Sequence, residues 1–496
     1  MKTFSKYTTL SSVLVFFTLF SLTSADAKNS DNDASTENFN PQLENVHPHS
    51  AFDRIEPMQH RGANIATVGE LDFNFGFHSI GRVQALSQND TRALDGDGRG
   101  VDPNDGHVDS WTNAPDLNPV GMQTGFGQID FQVIHGDNFE VFFDLLMATQ
   151  RHPTRAWGHQ GFIYFQQMPE GSALEFANGL FEHIDVKAGN FTPSFGNTID
   201  KRTLNADAQR NPLIGYNVVE THGVEPGLEI IHRTDSYGLL GGAGFGGPEA
   251  DYVEDRGYSF RAKGWVSPLE NMELALSYYT VDHDGASRGT NLFRRERLGS
   301  AYDAIWTPDE GYDGGGSEGA TQVRPGDGQK VDAFQVDLNW DILPNLFMNS
   351  HFGYVSTSHE EIDNDRWSAL VGDEDWYYFG ADLTAYLTES IYGSVRYSSA
   401  IADELDYRDT PETLLAVDPS NAVTDGSVNR FQAGLGGWLS ERMLLKVEYV
   451  YQGASGFDAL EADVDGEAGL RGVAGHVDVS QEPSFSGIVI EFTYSL

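Results

Sequence analysis

Apolar residues recur at every second position in about sixteen segments of this chain, and polar residues fill most places between. The last segment shows the pattern: Ile488, Ile490, Phe492, Tyr494 and Leu496 alternate with Val489, Glu491, Thr493 and Ser495. A period of two sends alternate side chains to opposite faces of a β-strand. Most segments run about 9–13 residues, the length at which a tilted strand crosses a bilayer. The pattern predicts an all-β fold, a transmembrane antiparallel β-barrel of about 16 strands.

The predicted strands fall at about 70–84, 123–134, 138–148, 159–168, 181–192, 226–234, 237–245 and 257–267, then 271–282, 331–341, 345–356, 375–387, 390–399, 428–439, 442–452 and 485–496. Tight turns such as His135-Gly136-Asp137, Thr388-Glu389 and Ser440-Glu441 alternate with long polar stretches at about 85–121, 193–225, 283–330, 357–374, 400–427 and 453–484. Short turns on one rim and long loops on the other are the outer-membrane arrangement. An even strand count brings both ends of the barrel to the short-turn rim. The junction at about 169–180 is longer than the other turns, which keeps 14–18 strands compatible with the sequence. Trp340, Tyr354, Trp376, Tyr377, Tyr449 and Tyr494 stand near strand ends, where amphipathic rings form girdles at the lipid–water interfaces.

Three regions result. Residues 1–27 read as a signal peptide, with Lys2 and Lys6, an apolar run from Leu10 to Leu22, and the cleavage pattern Ala25-Asp26-Ala27. Residues 28–69 form a polar leader without a clear period, and residues 70–496 form the barrel.

Charge narrows the function. The chain carries a net −43, and removal of residues 1–27 leaves 29 basic and 73 acidic side chains, a net −44. Such a surface repels a phosphate backbone, so no nucleic acid is expected as a partner. It suits a cation-rich medium in which salt screens self-repulsion. No cysteine is present, which removes disulfides, thiolate metal sites and cysteine nucleophiles.

With strands, turns and charge in place, the chain resembles a Gram-negative outer-membrane porin over most of residues 70–496. The terminal strand is similar to the family's C-terminal assembly signal through Phe492 and Tyr494, although it ends on Leu496 where porins usually carry Phe. Val186-Lys187-Ala188-Gly189-Asn190-Phe191-Thr192-Pro193 is similar to a strand-to-loop stretch of the phosphate-selective porin group, and phosphate selectivity is not carried over from it. The resemblance implies a passive water-filled channel for small hydrophilic solutes and ions, located in the bacterial outer membrane. It also implies contacts with outer-membrane lipid, lipopolysaccharide and the barrel-assembly machinery, and a homotrimer. A substrate-specific channel for an oxyanion, sugar or siderophore is the alternative.

Strand parity assigns the lumen a mixed wall, in which Arg82, Lys187, Arg261, Lys263, Asp382, Arg396 and Glu448 are candidate pore-lining residues, with Arg430, Lys446 and Glu491 beside them. Because no apolar seam is evident on that side, a packed interior is not expected. By resemblance to the third external loop of general porins, the stretch at about 193–225 is the candidate for folding inward, with Lys201, Arg202 and Arg210 able to meet an anionic solute at a constriction. No cofactor is expected, because diffusion down a gradient needs none. Asp95, Asp97 and Asp102 form the one metal candidate, since glycine-spaced carboxylates suit calcium, but Arg99 stands at a usual ligand position and no glutamate is twelfth. An enzyme is not expected either, because His78, His135, His159, His183, His232 and His351 are scattered without a recognisable serine or carboxylate partner in sequence.

Overall fold

Alternation becomes architecture strand by strand. The structure, a computed structural model, describes residues 62–88, 120–136, 138–148, 156–173, 175–197, 208–221, 223–234, 236–246, 257–282, 292–293, 302, 305, 322–323, 325, 330–359, 371–408, 426–456 and 484–496. A short strand β1 (Ala63–Val68) precedes β2 (Leu71–Gln88), β3 (Val120–His135), β4 (Phe139–Ala148), β5 (Trp157–Phe165), β6 (Asp185–Phe191), β7 (Glu225–Arg233), β8 (Tyr237–Gly244) and β9 (Tyr258–Leu269). Then follow β10 (Met272–Asp282), β11 (Lys330–Leu343), β12 (Leu346–His359), β13 (Val371–Tyr386), β14 (Ile391–Arg408), β15 (Ser427–Ser440), β16 (Met443–Ser455) and β17 (Ser484–Ser495).

From β2 to β17 each strand pairs with the next in the chain, and β17 returns to pair with β2, so sixteen strands close a ring. All of the predicted strands are present. Closure matters because lipid offers no hydrogen bonds, and an open edge would leave a row of unpaired amides and carbonyls. The seam is in register from Phe485 opposite Gln88 to Ser495 opposite His78. Beyond it, the Leu496 amide donates to the Phe77 carbonyl at 2.9 Å.

The leader differs from expectation at its end. Residues 63–68 form β1, which pairs with Leu71 to Phe75 of β2. It occupies the stretch of edge that β17 leaves uncovered, so both ends of the barrel share one side of β2. Its sequence, Ala-Asn-Ile-Ala-Thr-Val, lacks strict alternation, because only the unsatisfied backbone of β2 calls it into the sheet. The long junction after β5 holds a helical turn, Glu175–Ala177, leading into the short helix α1 (Asn178–Phe181).

Outward positions are apolar, including Phe131, Phe143, Phe260, Leu276, Phe334, Phe352, Leu435 and Ile488. Trp340, Tyr354, Tyr377, Tyr449 and Tyr494 also face outward, as a girdle requires, but Trp376 is buried on the inner face. Parity explains this: Trp376 shares its face with Tyr378 and Asp382.

Depth in the lipid should govern tolerance. Leu383 lies near the middle of the outward apolar run Tyr377, Phe379, Ala381, Leu383, Ala385 and Leu387 of β13 and the turn after it, whereas Leu343 ends β11 beside a short turn. We expect Leu383→Arg to destabilise the barrel by about 2–4 kcal/mol and Leu343→Arg by about 0–1 kcal/mol. Denaturant unfolding from detergent, followed by the gel shift between folded and unfolded forms, measures both.

Candidate functional site

Register places opposite charges on neighbouring strands inside the ring. Arg82 stands opposite Glu491, and its Nε donates to Glu491 Oε2 at 2.6 Å. Lys446, opposite Glu491 on the other side, lies 2.6 Å from Oε1. Arg396 faces Asp382 directly and holds it in a fork, Nε to Oδ1 at 2.6 Å and Nη2 to Oδ2 at 2.8 Å. Further round, Arg261 pairs with Glu229 at 2.6 Å and with Glu225. Between Arg261 and Glu229 runs Gly242 of β8, where an added Cβ would lie 2.8 Å from Arg261 Nε and 2.9 Å from Glu229 Cγ. Only a glycine leaves that bridge open. Lys187 Nζ sits 4.5 Å from the ring centres of both Phe162 and Phe191. Buried ions persist only when paired in this way.

The segment between β6 and β7 enters the lumen. Ser194, Gly196 and Asn197 donate their amides to Glu229 (2.9 Å), Ser277 (3.0 Å) and Asp337 (2.9 Å), and Lys263 Nζ donates to the Gly196 carbonyl at 2.8 Å. The chain reappears at residue 208 against the far wall. Gln209 Nε2 donates to the carbonyl of Arg442, in the short turn between β15 and β16, at 3.0 Å. The loop therefore reaches the opposite rim before climbing back along β14–β16. Lys446 Nζ donates to the carbonyls of Ala208 (2.7 Å), Leu213 (3.1 Å) and Asn211 (3.3 Å). Glu448 Oε2 accepts the amides of Ile214 (2.6 Å) and Gly215 (3.0 Å). Arg396 Nη1 donates to the Gly215 carbonyl at 2.7 Å, and Arg430 Nη1 to those of Tyr216 at 2.9 Å and Asn217 at 3.3 Å.

Part of a second loop locks this one. Tyr302 Oη donates to Glu448 Oε1 at 2.5 Å, and Arg430 lies over the Tyr302 ring, 5.3 Å from its centre. A Cβ at Gly215 would come within 1.8 Å of Tyr302 Oη, so this close approach requires glycine. The Val323 amide donates to the Val218 carbonyl at 2.9 Å. Around these contacts Ile214, Tyr216, Val218, Phe293 and Tyr302 cluster with the inward Val331, Val355, Trp376, Ala400, Val428 and Val450. This corrects the expectation of an unpacked interior. The inner wall becomes apolar towards the long-loop rim, where it meets apolar loop residues.

The remaining candidates separate clearly. Arg82, Lys187, Arg261, Lys263, Asp382, Arg396 and Glu448 all face inward; six are buried and Lys187 is half-buried. They work as paired anchors for each other or for the loop, not as isolated charges lining water. Arg210 is half-buried in the turn at 208–210. Lys201, Arg202, Asp95, Asp97 and Asp102 lie outside the described residues. Glu225 was legible from its parity with Glu229, but nothing in the sequence marks Gly215, Glu220 or Tyr302 as partners of a wall several strands further along the chain.

The sector β2–β5 differs from the rest. Asp130 is bonded to His78 and Gln128, Glu140 to Gln132, and Asp144 to His159 and the Gln160 amide. None of these partners carries a permanent positive charge. His78 Nδ1 also lies 2.6 Å from Ser495 Oγ, with Nε2 3.1 Å from Asp130 Oδ2. The tertiary structure thus builds a serine–histidine–aspartate chain that sequence spacing concealed. A hydrolase also needs free donors for an oxyanion. Here the Ser495 amide donates to the Arg442 carbonyl and the Leu496 amide to that of Phe77, so the chain of contacts ties the terminal strand to the seam.

No protein-family model matches the sequence, and no curated protein does. Among solved structures, the chain is similar to the outer membrane channel DcaP of Acinetobacter baumannii, at 10% identity over 88% of this chain and 100% of that one, with a TM-score of 0.47. It is also similar to an anion-selective porin from Comamonas acidovorans (10% identity, 86% and 100% covered, TM-score 0.47) and to OmpT of Vibrio cholerae (8%, 87% and 100%, 0.46). Selectivity depends on this lumen's own side chains.

Glu220 makes docking of the loop depend on pH. It is buried beyond the strands, and accepts the Asn217 amide at 2.7 Å. Burial pushes its carboxyl up to about 7, against the opposing pull of Arg396 and Asn217. A docked loop that binds the proton more tightly than a free one is favoured below the ordinary carboxylate range. That advantage is lost as pH rises through about 7, a change of about 3 kcal/mol at most. Hydrogen exchange at Ile214, Gly215 and Val218, corrected for the intrinsic rate, should therefore lose protection between acidic and mildly alkaline pH. Glu220→Gln should flatten the profile.

Proposed function

We propose that this protein is a passive outer-membrane channel for small hydrophilic solutes and ions, exported by a cleaved signal peptide at residues 1–27 and assembled as a homotrimer. The carrying observation is the polarity of the ring: aliphatic and aromatic side chains outside, ion pairs, amides and carboxylates inside, with one loop crossing the lumen to narrow it. Diffusion supplies the driving force, so the protein has only to hold a polar path through lipid.

Cations are the preferred ions. Acidic side chains outnumber basic ones, 74 to 31, and the inward Lys and Arg on β9 and β14–β16 are engaged by carboxylates or by loop carbonyls. That excess of negative charge attracts positive ions to the channel. In planar bilayers under a salt gradient we expect discrete conductance steps and a reversal potential of the sign for cation selectivity. Gly215→Val, which drives the loop off Glu448, should enlarge the steps. Folded protein that never conducts would defeat the proposal, and an anionic reversal potential would defeat its selectivity.

Trimer formation is supported by wall height. The shortest strands of the ring, β5 to β8, are adjacent and have 9, 7, 9 and 8 residues. Tilted by about 45°, a seven-residue strand covers roughly 16 Å, short of the ~25 Å apolar band. A neighbouring barrel can cover that low wall where lipid fits poorly. Ala243→Arg, on the outer face of β8, should shift trimers towards monomers in native mass spectrometry; the Leu435→Arg variant, on the far β15, should leave the oligomer intact.

A further inference from the structure

The loop is held by its main chain. Wall groups bond to the amides of Ser194, Gly196, Asn197, Ile214, Gly215 and Val218, and to the carbonyls of Gly196, Ala208, Asn211, Leu213, Gly215, Tyr216 and Asn217. Loop side chains take part as well, among them those of Ser194, Asn197, Gln209 and Asn211. A surface that merely fixed this loop could have read its side chains. This one also presents carboxylates to amides and cations to carbonyls, groups that match any peptide main chain.

We infer that the inner face of β14–β16 is a binding site for short uncharged peptides, which the loop occupies in their place. Glu448 takes amides, Arg396, Arg430 and Lys446 take carbonyls, and Ser398 takes a further amide at 3.1 Å. Beside them, Ala400, Val428 and Val450 form the apolar patch that now meets Ile214, Tyr216 and Val218. When the loop leaves, these buried charges must find other partners. Water can solvate each one singly. A peptide brings N–H and C=O groups in alternation together with side chains for the patch, as the loop does. Such a ligand opens the path it then follows.

The inference rests on the channel reading, and the test separates the two. Acetyl-tetra-alanine amide is added to the reconstituted wild-type channel, with polyethylene glycol of similar mass as a control. The peptide should produce reversible interruptions of current whose frequency rises with concentration, about tenfold more often than the control if even one charged hydrogen bond is gained. In parallel, the same peptide should raise hydrogen exchange at Ile214–Val218 several-fold in detergent-solubilised protein, while the glycol leaves it unchanged. Equal effects of peptide and glycol, or no peptide effect on exchange, would overturn the site. So would an effect confined to a peptide copying residues 214–218, because a site filled by that sequence alone is the loop's own dock. The double variant Arg430→Met with Glu448→Gln should abolish the interruptions; if it fails to fold, the wild-type exchange result decides. Protein that never conducts refutes the channel and leaves the exchange arm to judge the peptide site.

Discussion

Closure of the hydrogen-bond ladder is the constraint from which the rest of this structure follows. Inside lipid each strand amide and carbonyl needs a partner, and an edge cannot borrow one from water. Pairing β17 with β2 meets that need over the full seam. Closure also fixes which side chains face each other: Glu491 meets Arg82 across the seam because the register puts them opposite. The β1 strand extends the same logic to the piece of β2 that β17 does not reach.

Once the ring is closed, its interior has to reconcile many buried charges. Pairing across adjacent strands handles most of them, as in Asp382 with Arg396, and glycine handles the case where a strand intervenes, as Gly242 does between Glu229 and Arg261. The loop supplies the remainder. Carbonyls of an irregular segment have no ladder to satisfy them, and cations of the wall have few carboxylates left; each answers the other. Apolar loop residues then find inward valines and aromatics near the rim. Occupation of the lumen is thus stabilised by polar and apolar contacts together.

The same arrangement explains why the chemistry of the lumen is uneven around the ring. Charges on β14–β16 are engaged by the loop, while the carboxylates of β3 and β4 keep histidines and amides for company. The serine–histidine–aspartate contacts at the seam join the terminal strand to β2 and β3.

Alternation alone determined the strands, a count of about 16 within a range of 14–18, the side that faces lipid and the inward placement of residues as separate as Arg82 and Glu448, because a period of two needs only local sequence to assign a face. Alternation did not itself mark the inward loop, which the resemblance to porins indicated. It misjudged residues 63–68, where an edge recruits a strand without a pattern of its own, and the emptiness of the lumen, where Val331 and Val428 gain meaning only when Val218 and Tyr216 lie against them. Partnerships such as Glu448 with Ile214, Tyr302 and Gly215, or His78 with Ser495, were decided by the tertiary structure. They join positions far apart in the chain, and only closure of the ring and descent of the loop bring those positions within a hydrogen bond.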